Sequence, residues 1–111
     1  MAYLIYEGTT IRFYTSVPFT SISGSVVDPD IVTLNISVQG VVMTYTYTNG
    51  SGDPTGTIVR DSTGTYHADL LTTGYPGTWV WQWAGKSSSG HDTTHTNVVD
   101  EGEVIVSAAS F

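Results

Sequence analysis

The fold class is decided by residues 31–48, which read IVTLNISVQGVVMTYTYT. In the first half, apolar and polar residues alternate, so the apolar ones share one side of a strand. These apolar residues are Val32, Leu34, Ile36 and Val38. Gln39-Gly40 then supplies the two residues of a tight hairpin turn, and the second half alternates again with threonine. The stretch therefore predicts an antiparallel hairpin with one buried face.

Outward from this hairpin, the chain repeats the period-two pattern between turns rich in Gly, Pro, Asp and Ser. No stretch of useful length has the 3.6-residue period of a helix. Further strands are predicted over residues 9–15, 23–27, 57–60, 65–71, 78–84 and 103–107. This spacing is typical of an all-β sandwich or barrel, here with about 7–8 short antiparallel strands and almost no helix.

Composition and charge exclude several classes of function. The 111 residues suffice for one domain, and the lack of cysteine excludes disulfides, thiolate metal sites and cysteine catalysis. The net charge is −7, with 3 Lys and Arg against 10 Asp and Glu, which argues against nucleic acid and anionic membranes as partners. No apolar run approaches the roughly 20 residues of a membrane span, and the first residues lack the basic region of a signal peptide. We expect a protein that is made in a cytoplasm and not secreted.

Two sets of residues have the chemistry of metal ligands. His91 and His95 stand four apart with Asp92 between them, but in a Ser/Gly-rich stretch where a solvated loop is the simpler interpretation. Several aspartates flank turns, where they cap the backbone and lack the spacing of a calcium loop. These aspartates are Asp28, Asp30, Asp53 and Asp61. We expect no metal and no other cofactor.

No set of residues matches a known catalytic motif. Ser, His and Asp all occur, but the chain has no G-x-S-x-G motif, and His67 is interpreted as a partly exposed residue of a strand. Asp69, Glu101 and Glu103 are placed on solvent faces, whereas paired hydrolytic carboxylates need one member in an apolar pocket. We expect that the protein is not an enzyme, and a metal-dependent enzyme built on His91 and His95 is the alternative.

Three tryptophans, Trp79, Trp81 and Trp83, share one face of the predicted 78–84 strand. Such a row either stacks against sugars or bases or packs inside the core. We favour the core, with whichever tryptophan is nearest a strand end partly exposed.

Four segments carry a resemblance to a known family. They are DPDIVTL (28–34), DSTGTYHADL (61–70), PGTWVWQWAG (76–85) and DEGEVIV (100–106). Together they resemble the small Ig-like proteins of tailed bacteriophages and prophages, over roughly residues 9–107. The resemblance implies an Ig-like sandwich over 9–107, flanked by an N-terminal strand or arm over 1–8 and a C-terminal tail over 108–111.

The resemblance also implies a non-enzymatic structural protein of the virion, in the first place a capsid decoration protein on the outside of the head. A head–tail or tail accessory module is one alternative. A carbohydrate or host-surface binding module that uses exposed Trp and Tyr is another. The implied partners are the major capsid protein or other virion proteins, with copies of the same chain on the particle as a further option. The implied location is the virion, after synthesis in the bacterial cytoplasm.

Two segments are candidates for contact with a partner. The apolar residues Tyr3, Leu4, Ile5 and Tyr6 precede the first predicted strand and have no expected partner inside the domain. The hydrophilic loop over 85–96 carries Lys86, His91 and His95 and fits a contact that orders on binding. The alternative for residues 2–6 is that they simply extend the first strand.

Overall fold

The computed structural model describes residues 3–20, 24–86 and 97–108, and at residues 3, 4 and 97–99 it describes the backbone alone. These residues form eight β-strands and no helix, so none of them belongs to a helix that could cross a membrane. The strands are β1 (Tyr3–Tyr6), β2 (Thr10–Tyr14), β3 (Ile31–Val38), β4 (Val41–Thr48), β5 (Ile58–Ser62), β6 (Thr65–Leu71), β7 (Gly77–Lys86) and β8 (Asn97–Ser107).

The strands are arranged in two packed sheets. The order is β1-β8-β7-β3-β4 in the five-stranded sheet and β2-β6-β5 in the three-stranded sheet. Ig-like sandwiches have the same division into sheets. The strands that correspond to β2, β5 and β6 pair in one sheet, and those that correspond to β3, β4, β7 and β8 pair in the other. The predicted all-β, Ig-like sandwich is therefore confirmed. Every pairing is antiparallel except that of β1 with β8, which is parallel.

The core lies between the sheets and follows the predicted alternation. β3 contributes four side chains that are at most 1% exposed, and β7 contributes Trp79 and Trp83. The other buried apolar residues are Phe13, Phe19, Ile58, Tyr66, Ala68, Val104 and Val106. One expectation for the tryptophans is wrong, because the partly exposed residue is Trp81 in the middle of the row and not one near a strand end. Its position opposite Gly102, described below, explains this.

Two turns depend on backbone geometry that few residues adopt. Gln39 and Gly40 have φ of 53° and 74°, the mirror-image turn that suits a two-residue hairpin. Gly64, between β5 and β6, has φ of 77°, and a Cβ there would lie 2.9 Å from Val26 Cγ1. The DSTG turn predicted from the sequence thus needs glycine both for its φ and for the close approach of Val26.

The N-terminal segment differs from its prediction. Tyr3–Tyr6 were expected to lack a partner inside the domain or to extend the first strand, and both expectations are wrong. β1 pairs with Val104–Ser107 of β8, in the sheet that does not contain β2. The chain crosses between the sheets at Glu7-Gly8, where the Glu7 N–H donates to Ser107 O (2.7 Å) and Gly8 has φ of 95°.

Three other strand boundaries differ. The strand predicted over 23–27 is reduced, among the described residues, to an isolated bridge between Thr20 and Val26. β7 continues through Lys86 and so takes up the first two residues of the loop predicted over 85–96, whose other residues lie outside the described ones. β8 begins at Asn97, six residues before the strand predicted over 103–107. The first half of β8 reads NVVDEG, in which apolar and polar residues do not alternate, and this is why the pattern did not reveal it.

Candidate functional site

The described surface contains a cleft that opens between β2 of the smaller sheet and β1, β7 and β8 of the larger one. Its volume is about 570 Å³, within the range of small-molecule and side-chain binding sites. Its apolar lining consists of Ile5, Ile11, Phe13, Trp81, Gly102 and Val104. Its polar lining consists of Arg12, Tyr14, Ser16, Asp100, Glu101 and Glu103.

Trp81 forms the floor of the cleft because its neighbour in the sheet is a glycine. Trp81 on β7 is the register partner of Gly102 on β8. A Cβ on Gly102 would lie 2.9 Å from Trp81 Cζ2, so the indole ring occupies the space that any other side chain would fill. The Phe13 ring holds the indole from the other sheet, edge to face at 5.9 Å between centroids. The result is a tryptophan that is packed yet partly open to the cleft.

One carboxylate ties the two sheets together at the cleft. Asp100 Oδ2 accepts hydrogen bonds from the Ser16 N–H (2.9 Å) and the Ser16 hydroxyl (2.6 Å). These two residues are 84 positions apart in the sequence. The bonds therefore fix the distance between the end of β2 and the middle of β8, which sets the width of the cleft.

The rim of the cleft is predominantly acidic. On β8, Asp100 lies on the inner face, while Glu101 and Glu103 lie on the outer face like their register partners. Arg12 is the one cation of the described lining. Arg12 is already engaged by Asp69, with Nε–Oδ1 at 2.8 Å and a second nitrogen–oxygen contact at 2.9 Å. This hydrogen-bonded pair lowers the pKa of Asp69 and raises that of Arg12. The rim therefore favours a neutral or positively charged group.

A second polar cluster joins the 28–30 turn to β5 and β6. Asp28 accepts hydrogen bonds from the Tyr66 hydroxyl (2.8 Å), the Gly64 N–H (2.9 Å) and the Arg60 guanidinium (2.8 Å). The Asn49 side chain donates to the Tyr66 hydroxyl (3.0 Å) and to the Pro29 carbonyl. Burial raises the pKa of Tyr66, so this hydroxyl stays protonated. The cluster is saturated with internal partners, which indicates a structural role.

The described residues do not assemble a metal site or a complete catalytic group. No three His, Cys, Asp or Glu side chains among them lie close enough to hold a metal ion. His67 Nδ1 is 2.6 Å from Asp61 Oδ1, but within the described part of the chain no hydroxyl contacts its other ring nitrogen. The nearby hydroxyls of Ser62 and Thr65 bond each other at 2.5 Å. In such a pair the Asp61 carboxylate can orient the His67 ring, but a catalytic triad also needs a nucleophile beside that ring.

The structure does not bring the predicted contact residues together. Ile5 lines the cleft and Tyr6 is 66% exposed, while Tyr3 and Leu4 lie in β1. Lys86 ends β7 beside Ile31, at the opposite end of the sheet and roughly 30 Å away at about 3.4 Å per residue. His91 and His95 lie outside the described residues.

Sequence reasoning missed the cleft itself. Its walls come from strands that are distant in sequence, so no local pattern joins them. The one available signal was Gly102, a glycine within the DEGEVIV segment that could have marked a close approach of a large side chain.

Comparisons with known proteins add no family assignment. No protein-family model matches this chain, and no curated protein sequence matches it significantly.

Proposed function

We propose that this chain is a non-enzymatic structural protein of a bacteriophage virion, bound as a decoration protein to the outside of the capsid. The resemblance in segments 28–34, 61–70, 76–85 and 100–106 supports the proposal. The observation that supports it furthest is the cleft, because an apolar floor bordered by polar residues has the core-and-rim arrangement of protein interfaces. Segment 100–106 includes five of the residues that line it.

The chemistry of the cleft indicates what the partner presents. Trp81 offers an aromatic face, and Glu101 and Glu103 are exposed on the neighbouring strand, with their carboxylates on the outer side of the same sheet. An arginine or lysine fits both, since its stem packs on the indole while its charge reaches these carboxylates around the edge of β8 that β1 leaves uncovered. The partner surface is therefore a basic or weakly charged loop of the major capsid protein or of another virion protein.

The test begins with particles that lack this protein. Purified chain is added to them, pelleted with the particles, and located by cryo-electron microscopy. We expect saturable binding at a fixed ratio to the capsid protein, with density on the outer shell. Density confined to the neck or tail would assign the accessory-module alternative, and no binding to any part of the particle would overturn the virion proposal.

Two matched variants connect binding with the cleft. Glu103→Gln and Asp61→Asn each remove one exposed carboxylate, the first at the rim and the second on β5 of the other sheet. We expect the first to weaken particle binding at least three-fold and the second to leave it unchanged. Equal effects would show that only the total charge matters and that the cleft is not the contact.

A sugar-binding module is the second candidate, favoured by the partly exposed Trp81 on the floor of a cleft of ligand size. Because Trp79 and Trp83 are at most 1% exposed, a glycan that changes tryptophan fluorescence on contact acts through Trp81. Titration with bacterial surface glycans, with Trp81→Phe as the control, tests this candidate. A saturable change that disappears in the variant would favour it over the capsid.

A further inference from the structure

Four strands form the outer edges of the two sheets, and one of them is unprotected. Natural edge strands avoid pairing with other chains by being short, charged, bulged or proline-containing. β1 has four residues, β2 carries Arg12, and β5 carries Arg60 with an irregular register. β4 has eight residues, no charge, no proline and an unbroken register against β3.

The hairpin geometry tells which groups of β4 face the free edge. The two-residue turn makes Val38 and Val41 a hydrogen-bonded pair, so every second residue from Val41 bonds to β3. The N–H and C=O groups of Val42, Thr44 and Thr46 point the other way. Within the described chain, no other strand or loop pairs with them. The edge closes only at Thr48, whose N–H donates to Gly52 O at 3.1 Å.

These free groups are self-complementary. In an antiparallel pair of two β4 strands related by a two-fold axis at Thr44, Thr44 faces Thr44 and Val42 faces Thr46. Every free N–H and C=O of the three residues is then paired, in about six hydrogen bonds. Any other register leaves some of these groups without a partner. The edge thus fits a second copy of itself in one preferred register.

Charge also favours a second copy at this edge. Two chains of net charge −7 repel each other, and they do so least where both surfaces are uncharged. β4 has no charged residue, and the facing outer positions of β3 are Thr33, Asn35 and Ser37. Val42, 66% exposed, would be partly covered by the pairing.

We propose that two copies of this chain associate through β4, edge to edge and antiparallel, so that their five-stranded sheets become one continuous sheet of ten strands. The inference does not depend on the function proposed above.

Sedimentation analysis of the full chain over about 1 µM to 1 mM tests for the dimer. Thr44→Lys sets two like charges opposite each other at the axis, which disfavours pairing. Thr78→Lys is the matched control, because Thr78 is also exposed but lies on the interior strand β7. We expect a dimer for the parent and for Thr78→Lys, and a folded monomer by circular dichroism for Thr44→Lys. A parent that stays monomeric to 1 mM, or a Thr44→Lys dimer, would overturn the proposal.

The register is tested with single cysteines, since the chain has none of its own. In the proposed pair the two copies of Thr44 have Cα atoms about 5.5 Å apart, a distance that a disulfide bridges. The two copies of Thr46 would be roughly 14 Å apart at 3.4 Å per residue. Mild oxidation should therefore link Thr44→Cys chains and leave Thr46→Cys chains separate. Equal linkage of both variants, or linkage of Thr46→Cys alone, would exclude this pairing. A strand of a different protein found on the β4 edge would exclude it as well.

Discussion

At the residue scale, Gly102 determines how Trp81 sits in the cleft. A methyl group there would meet Trp81 Cζ2 at 2.9 Å and Cε2 at 3.2 Å, so the ring would have to shift against Phe13. We expect Gly102→Ala to cost about 1–3 kcal/mol in the free energy of unfolding, as for other overpacked sites. The tryptophan emission should shift as well, because the ring moves toward solvent.

The control for this prediction is Glu103→Ala on the same strand. Glu103 is exposed, so its loss should change the free energy of unfolding by no more than about 0.5 kcal/mol. Chemical denaturation and fluorescence spectra of both variants provide the measurement. If Gly102→Ala unfolds like the parent with an unchanged spectrum, the close contact between Gly102 and Trp81 is not present in solution.

Asp28 makes the stability of the fold depend on pH. Partial burial acts to raise its pKa, but hydrogen bonds from Arg60, Gly64 and Tyr66 outweigh burial, and the pKa is lowered. The folded state therefore binds this proton less readily than the unfolded state does. The stabilisation is complete above the ordinary value of 3.8 and is lost as the pH falls below it, through the lowered pKa of the folded state.

We therefore expect Asp28→Asn to be less stable than the parent at pH 7 and to lose less stability between about pH 5 and pH 3. Urea unfolding at a series of pH values measures both effects. Asp69→Asn is the comparison, because its pair with Arg12 is exposed and contributes little. Parallel pH curves for the parent and Asp28→Asn would contradict the assigned role.

At the scale of elements, the sequence predicted those strands whose burial alternates locally. The β3–β4 hairpin, β6 and the tryptophan strand β7 all have such alternation and were found within a few residues of their predicted bounds. The first half of β8 has no apolar alternation, and β1 finds its partner about a hundred residues away, so neither leaves a local signal. The cleft depends on β1, on the first half of β8 and on the bond between Ser16 and Asp100. Because none of these has a local sequence signal, the cleft could not be predicted from the sequence.

β1 supplies the prediction that belongs to this scale. It covers one edge of β8, and its Ile5 packs against the core. Deleting residues 2–6 should therefore destabilise the domain by roughly 2 kcal/mol, the order of burying one aliphatic side chain, and lower the melting temperature by about 5–10 °C. Tyr6→Ser, at a position 66% exposed, should melt close to the parent. A truncated chain as stable as the parent would restore the interpretation of this segment as a free arm.

At the scale of the whole molecule, chelation tests the expectation that no metal supports the fold. The described residues hold no group of three potential ligands, while the expectation for His91 and His95 concerns positions outside them and stays a prediction. We expect an excess of EDTA to leave the melting temperature unchanged, because the apolar core between the sheets accounts for the fold. A drop of about ten degrees would reveal a structural metal and revive the metal-dependent alternative.

The overall charge gives the last prediction, which rests on the proposed capsid function. Of the chain's 3 Lys and Arg, both arginines are paired with aspartates, Arg12 with Asp69 and Arg60 with Asp28, so the long-range field is set by the carboxylates. A field of one sign governs how fast partners meet, whereas packed contacts govern how long they stay together.

Raising NaCl from about 0.05 M to 0.5 M shortens the screening length and should slow association with undecorated particles about ten-fold, with little change in dissociation. Trp81→Ala should do the reverse, with nearly unchanged association and faster dissociation, because it removes the floor of the cleft and no charge. Surface plasmon resonance on immobilised particles measures both rates, and an association rate that does not respond to salt would show that the partner surface is not basic.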